Sequence, residues 1–141
     1  MAGLKSTMVV LVMIMAASLQ LQFTVAKTSH VVGDSLGWTI PPGGDATYTK
    51  WASRRNFTVG DTLIFKFPTG LHNVAEVPRA AYGPCNYINT LSIHPTGPAT
   101  ITLTRPGKHY YICAVLGHCQ VGQKLTINVS PSKRSTPKSR P

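Results

Sequence analysis

Apolar and polar side chains alternate in three segments of the chain, at 61–68, 100–104 and 124–130. A period of two residues is typical of β-strands that bury one face. Ile64 interrupts the polar face of the first segment. The alternation predicts three half-buried strands, whose apolar faces consist of Leu63, Phe65 and Phe67, of Ile101 and Leu103, and of Leu125, Ile127 and Val129.

Glycine and proline clusters separate these segments, as expected for turns between short strands. Two further segments, 72–77 and 110–112, are rich in residues that favour strands, whereas helical periodicity is scarce and only 80–88 fits a short helical turn. Several short strands with regular turns in about a hundred residues predict an all-β Greek-key sandwich or barrel.

The two ends of the chain differ in composition from this middle part. Residues 8–17 form an apolar run that is shorter than the roughly twenty residues of a membrane span. Together with small residues before position 27, the run predicts a secretory signal peptide at 1–26. The predicted domain is 27–129, and 130–141 is a basic segment rich in serine and proline, which predicts a disordered tail.

The charge is strongly basic, with 14 Lys and Arg against four acids in the whole chain. Loss of the predicted signal removes Lys5 and leaves a net charge of 13 − 4 = +9. In a secreted protein this charge favours acidic polysaccharide or an anionic membrane surface over nucleic acid as a partner. The tail has no hydrophobic stretch that would signal a glycolipid anchor, and its four basic residues are Lys133, Arg134, Lys138 and Arg140.

Two sequons for N-glycosylation are present. Asn56 begins Asn-Phe-Thr, and Asn128 begins Asn-Val-Ser. Asn128 falls on the polar face of its predicted strand, but Pro131 directly after the sequon weakens it. The sequence therefore favours Asn56 over Asn128 as a glycosylated position.

Three cysteines allow one disulfide and leave one thiol free. Cys113 follows the predicted strand 110–112, so the core should fix it, whereas Cys85 and Cys119 lie in predicted loops. All three pairings remain possible, but a bond between two loops, Cys85–Cys119, has the easier geometry. A free Cys113 in an oxidising compartment would need a chemical purpose.

Cys113 and His118 can present a thiolate and an imidazole to one point, but the ligands of a metal must surround it. A second histidine should come from another part of the fold. His72 follows an apolar strand and precedes another, so it is a better partner than His30, His94 or His109. Gln123, after Gly122, can then supply an axial amide oxygen.

Two histidines, one cysteine and a weak axial ligand form the blue-copper arrangement. Zinc can also bind Cys and His, although structural zinc sites usually contain more thiolates. A Cys–His nucleophilic pair is a second alternative, but no orienting third residue supports it. The sequence therefore predicts one copper ion held by His72, Cys113, His118 and Gln123.

The segments WASRRNFTVGDTLIFKF, HNV, YGPCN and HYYICAVLGHCQVGQKLTINV resemble the phytocyanins, small blue copper proteins of plants. The resemblance covers about 29–129, and Gln123, where other members carry Met, makes the chain similar to the stellacyanins. It implies a cupredoxin-type Greek-key β-sandwich, the four ligands His72, Cys113, His118 and Gln123, a Cys85–Cys119 disulfide, and electron passage through the exposed edge of the histidines.

These observations predict a secreted, monomeric, mononuclear type 1 copper protein that carries single electrons and is not an enzyme. Three strong ligands and one weak one leave no inviting position for a substrate. The alternative is a non-redox cell-wall or signalling protein in which copper only stabilises the fold. The expected location is the apoplast, and the expected partners are a small-molecule or protein redox partner and, through the tail, acidic cell-wall polysaccharide. Binding to nucleic acid is not expected, nor is a membrane span after signal cleavage.

Overall fold

The computed structural model describes residues 2–18 and 26–132. Helix α1, Ala2–Ser18, lies within the predicted signal peptide. No helix in these two ranges combines the length and apolarity that crossing a membrane requires. The residues just before the predicted cleavage site, 19–25, and the charged part of the tail, 133–141, lie outside the described residues.

Within residues 26–132, eight strands form two mixed sheets. The first sheet has the order β1-β3-β6, with β1 parallel to β3, and the second has the order β2-β8-β7-β4-β5, with β2 parallel to β8. The other strand pairs are antiparallel. The strands are β1 Ser29–Val31, β2 Phe57–Thr58, β3 Thr62–Phe65, β4 Val74–Val77, β5 Ser92–His94, β6 Ala99–Thr102, β7 Gly107–Ile112 and β8 Lys124–Ser130.

The main core combines the inner faces of both sheets. The predicted strand 124–130 coincides with β8, and its apolar face is buried as the alternation requires. β3 ends at Phe65, three residues before the end of the predicted segment, but Phe67 is still buried in the same core. β6 also ends one residue before the buried Leu103. The pattern therefore located the buried faces better than the strand ends, and the all-β sandwich prediction is confirmed.

Helix α2, Ala46–Ser53, was not predicted from the sequence. It buries Tyr48 and Trp51, which lie three residues apart on one face. The Tyr48 hydroxyl donates to the carbonyl oxygen of Gly37 at 2.8 Å and accepts from the backbone N–H of Thr39 at 2.9 Å. A single buried tyrosine therefore fixes the loop that follows β1 to this helix.

A second, smaller core lies around the disulfide. Helix α3, Arg79–Tyr82, contributes Ala81 to this core and falls partly in the segment that was predicted to form a helical turn. Ala75 and Val77 of β4 and Ile112 of β7 pack there as well. This cluster supports the ends of β4 and β7 where the candidate metal ligands lie.

Candidate metal centre

Four donor groups from two segments of the chain converge on one point. His72 Nδ1 lies 3.1 Å from His118 Nδ1, and Cys113 Sγ lies 3.6 Å from the same His118 nitrogen. The Gln123 Oε1 atom lies 3.1 Å from it. The donor atoms of His72, Cys113 and His118 all lie within 4.8 Å of one another, so they can contact one ion together.

The hydrogen bonds of the loop between β7 and β8 place three of these groups. Cys113 follows directly after β7, and its backbone N–H donates to the carbonyl oxygen of Gln123 at 3.0 Å. The N–H of Gln123 in turn donates to the carbonyl oxygen of His118 at 3.0 Å. The loop therefore closes on itself and orients the thiol, the imidazole and the amide toward the same side.

Gly122 allows this closure. Its φ is +107°, in the region that side chains disfavour, and a Cβ there would lie 2.7 Å from the backbone nitrogen of Asp45. The close approach seats the loop against the segment before α2. It leaves the neighbouring Gln123 completely buried.

Asn73 connects the segment that carries His72 to the loop that carries Cys113. Its Oδ1 accepts a hydrogen bond from the Ala114 N–H at 2.7 Å, and its carbonyl oxygen accepts one from the indole N–H of Trp38 at 2.9 Å. The sequence reasoning assigned no role to Asn73. Its position directly after a predicted ligand was the available signal, but the partners come from distant parts of the chain.

The other three histidines lie elsewhere, as expected. His30 is buried against Asp61, with 3.0 Å between Nε2 and Oδ2. His109 contacts Glu76 Oε1 at 2.8 Å through its Nδ1. His94 ends the edge strand β5. Only His72, of the histidines considered as partners for Cys113 and His118, lies beside them.

Burial shifts the pKa values of two of the donors in opposite directions. Burial lowers the pKa of His72, and the neighbouring His118 lowers it further, while the Gln123 side chain acts in the opposite direction. Burial also raises the pKa of the Cys113 thiol, and backbone hydrogen bonds of Asn73 and Val115 only reduce this effect. A neutral His72 is ready to donate its lone pair, and a metal must displace the thiol proton of Cys113.

The structure joins Cys85 to Cys119 and leaves Cys113 as a buried free cysteine. This is the arrangement that the resemblance implies. The bond joins Cys119, one residue after His118, to Cys85 in the segment that follows α3. The thiol at the centre is therefore separate from the covalent link that supports it.

The donor set fits copper. Two imidazole nitrogens, a thiol sulfur and an amide oxygen share one partly enclosed space, and the two facing Nδ1 atoms bring lone pairs to a single point. The Gln123 Oε1 is directed at the centre, while its Nε2 is buried without a hydrogen-bond partner in the described residues. Soft sulfur with two imidazoles and a weak axial oxygen is a type 1 copper set.

Comparisons with known proteins agree with this arrangement. Residues 38–123 match the family model of the plastocyanin-like domain. The chain is 46% identical to a blue copper protein of Pisum sativum over 77% of this chain and 55% of that protein, and 44% identical to stellacyanin of Toxicodendron vernicifluum over 73% of this chain and 97% of that one. The solved structure of cucumber stellacyanin matches with a TM-score of 0.70 and 37% identity, covering 76% of this chain and 99% of that chain.

Fold and donor set together define a protein of the blue copper class with a cupredoxin fold. Its cofactor is copper, and electron transfer is the general role of this class. The chain belongs to the phytocyanin family of plants, and the buried Gln123 beside the three other donors places it in the stellacyanin-like subgroup.

Proposed function

We propose that this protein is a secreted single-electron carrier whose copper ligands are His72, Cys113, His118 and Gln123. The observation that carries the proposal is the convergence of these four donors in a framework already closed by backbone hydrogen bonds. A copper ion in this site would supply a one-electron Cu(II)/Cu(I) couple. A site held in one arrangement needs little reorganisation when the electron arrives or leaves.

The two imidazoles provide the path for the electron. His72 and His118 are both partly exposed, whereas Cys113 and Gln123 are buried. The imidazole rings lie 5.0 Å apart between centroids, and the exposed apolar residues Leu71 and Leu116 lie one and two residues before them in the sequence. A redox partner can therefore approach the imidazole edges without entering the core.

The same geometry favours a carrier over an enzyme. Gln123 closes the buried side of the centre, and the two histidines occupy its outer side. A catalytic metal site keeps an open position for a substrate or water. The alternative, a wall or signalling protein in which copper only stabilises the fold, differs from the carrier in one measurable respect, the rate of reversible reduction.

An absorption spectrum of the copper-loaded protein tests the site, and voltammetry tests the function. We expect intense blue absorption from thiolate-to-copper charge transfer, which Cys113→Ser abolishes and Cys119→Ser retains. Fast reversible reduction supports the carrier. A blue protein that is not reduced reversibly would support the structural alternative. If Cys119→Ser loses the colour and Cys113→Ser keeps it, the ligand assignment is wrong.

The proposal places the protein outside the cell, where a redox partner and acidic wall polysaccharide are available. The apolar run of the predicted signal peptide and the closed disulfide support secretion. The basic residues that follow position 132 support electrostatic retention by a polyanion. A chain expressed in plant cells should appear in the wall fluid without residues 1–26; retention of the leader inside the cell would contradict secretion.

A further inference from the structure

Three surface clefts lie in series on the folded domain, away from the metal centre. The first, of about 480 Å³, and the second, of about 440 Å³, are both lined by Arg55. The second and the third, of about 310 Å³, are both lined by Lys108. Because each shared side chain borders two clefts, the three clefts adjoin one another in a row, here called the cationic track.

Most of the positive charge of the domain lies along this track. Residues 26–132 contain nine Lys and Arg, and six of them line the three clefts. Lys50 and Arg54 line the first cleft together with Arg55, while Arg79 and Arg105 line the third together with Lys108.

The carboxylates on the track are already engaged by the protein. Asp34 contacts Arg55 and accepts from the indole N–H of Trp51 at 3.3 Å. Glu76 contacts His109 at 2.8 Å and Arg105 at 3.6 Å. With six cations and two carboxylates, the net charge of the track is +4, and the exposed Lys50, Arg54, Arg79 and Lys108 have no carboxylate partner in the described part of the chain.

The middle cleft carries no carboxylate, and neutral polar side chains line much of it. Its wall combines the outer face of β8 with one side of α2 and the residues before β2. Hydroxyl and amide groups there can donate to and accept from sugar hydroxyls. These groups belong to Thr49, Ser53, Asn56, Thr126, Asn128 and Ser130.

We propose that the cationic track binds a linear acidic polysaccharide, with carboxylates at the Lys and Arg side chains and hydroxylated sugar rings in the middle cleft. The Lys and Arg side chains can pair with the carboxylates that the rings of a polyuronate carry, and the neutral polar groups between them can hydrogen-bond the ring hydroxyls. This site lies in the folded domain. It depends neither on the tail nor on the electron-carrier function.

Single-stranded nucleic acid and membranes fit the track less well. Nucleic-acid grooves offer exposed aromatic rings on which bases stack. Here Trp51 and Phe57 are buried, and Tyr110 already packs against Tyr82 with 5.2 Å between ring centroids. Among the residues that line the three clefts, Leu91 in the third cleft is the one large exposed apolar side chain, and a single such residue offers little insertion into a lipid surface.

Affinity chromatography and titration on polygalacturonate test the proposal. The full chain is produced without N-glycans, because Asn56 and Asn128 both line the middle cleft and a glycan there would block it. The variant Arg54→Gln/Lys108→Gln removes two charges from the track. The control Lys66→Glu also lowers the net charge by two, at an exposed position outside all three clefts. Lys108→Gln alone serves if the double variant fails to fold.

We expect the track variant to bind polygalacturonate about three- to tenfold more weakly at moderate salt, as for two lost exposed ion contacts, and the control to change less than twofold. The blue colour should remain in both variants, which separates this result from failure of the copper centre. An equal loss in both variants would mean unspecific charge attraction and would overturn the site. Tighter binding of the full chain to single-stranded DNA or to anionic vesicles would overturn the choice of ligand.

Discussion

Gln123 is the residue through which this chain can set the redox balance of its centre. Its side chain is completely buried, and its Oε1 lies 3.1 Å from the His118 Nδ1 atom. An amide oxygen is a harder donor than a thioether sulfur, so it stabilises Cu(II) relative to Cu(I). The identity of residue 123 should therefore govern the reduction potential more than any exposed residue does.

Replacing Gln123 by methionine should raise the reduction potential, because the thioether stabilises Cu(II) less. Voltammetry of the copper-loaded protein measures the change. The matched control is Gln120→Met, at an exposed position in the same loop. A potential that stays the same or falls in Gln123→Met would show that Gln123 is not the axial ligand.

Asn73 should control how firmly copper is held, although it donates nothing to the metal. Asn73→Ala removes the acceptor for the half-buried Ala114 N–H, and the cost has an upper bound of about 1–3 kcal/mol, the value for a fully buried donor left unsatisfied. We expect faster loss of colour when a chelator is added. Asn73→Asp retains an acceptor oxygen and should restore much of the retention.

The control for this comparison is Asn86→Ala, since Asn86 accepts only a local hydrogen bond from Ile88 at an exposed site. Both alanine variants should remain folded, as measured by urea unfolding. If they lose copper at the same rate as each other, Asn73 has no role in positioning the centre.

Strand β1 is attached to the domain through a buried pair, His30 and Asp61. Asp61 also accepts hydrogen bonds from the backbone N–H groups of Thr28 at 3.0 Å and Thr58 at 3.1 Å. Burial alone would raise the pKa of Asp61, but the hydrogen bonds from His30, Thr28 and Thr58 outweigh burial and lower it. The carboxylate therefore binds protons less readily in the folded chain than in the unfolded chain.

A lowered pKa in the folded state fixes the sign of the pH dependence. The stabilisation is complete above the usual pKa of an aspartate, 3.8, and is lost as the pH falls through the lower folded value. Asp61→Asn should reduce stability at pH 7 and flatten its decline below about pH 4. Urea unfolding of the copper-free protein from pH 6 to pH 2 tests this prediction, and the control is Asp45→Asn at an exposed position. Parallel curves of unfolding free energy against pH for Asp61→Asn and the parent protein would contradict it.

The disulfide should stabilise the second core and the ligand loop together. Cys85–Cys119 spans 34 residues, and chain-entropy reasoning gives about 3.8 kcal/mol of stabilisation for a loop of this length. We expect Cys85→Ala/Cys119→Ala to lower the free energy of unfolding by an amount of that order. Copper should also dissociate faster, because the residue next to His118 is no longer fixed.

Unfolding and chelator release, measured on the same double variant, separate the two effects. Peptide mapping under non-reducing conditions provides an independent check on the parent protein. A bond from Cys113 to either of the other two cysteines would refute both the pairing and the copper assignment.

The sequence predicted the strands and the ligand positions, but less of the supporting structure. Alternation was sufficient for β8 because each residue of that strand faces either the core or solvent. It was insufficient for α2, where only Tyr48 and Trp51 are buried among otherwise polar or small residues. Which imidazole nitrogen faces the centre, and how Asn73 joins the two segments, depend on tertiary contacts that no local pattern contains.

At the scale of the whole molecule, we predict that the basic tail and the cationic track act together in retention. Removing 132–141 lowers the net charge of the mature chain from +9 to +5, since four basic residues are lost. The truncated protein should elute from immobilised polygalacturonate at lower salt than the full chain, because exposed charge contacts are screened by salt. Elution at the same salt concentration would show that the tail contributes nothing to anchoring.

The buried free thiol also imposes an order on the maturation of the chain. In the unfolded chain the Cys113–Cys119 pair closes a loop of 119 − 113 = 6 residues, against 34 for the native pair, and loop-closure entropy favours the shorter loop by about 1.5 kcal/mol. The kinetically favoured bond would thus consume the sulfur that copper needs. Only after the sandwich has closed, with Cys113 just 1% exposed, is this thiol protected from exchange. Folding or disulfide isomerisation must therefore precede metal loading, and a cell that oxidises this chain too early produces a kinetic trap without a copper centre.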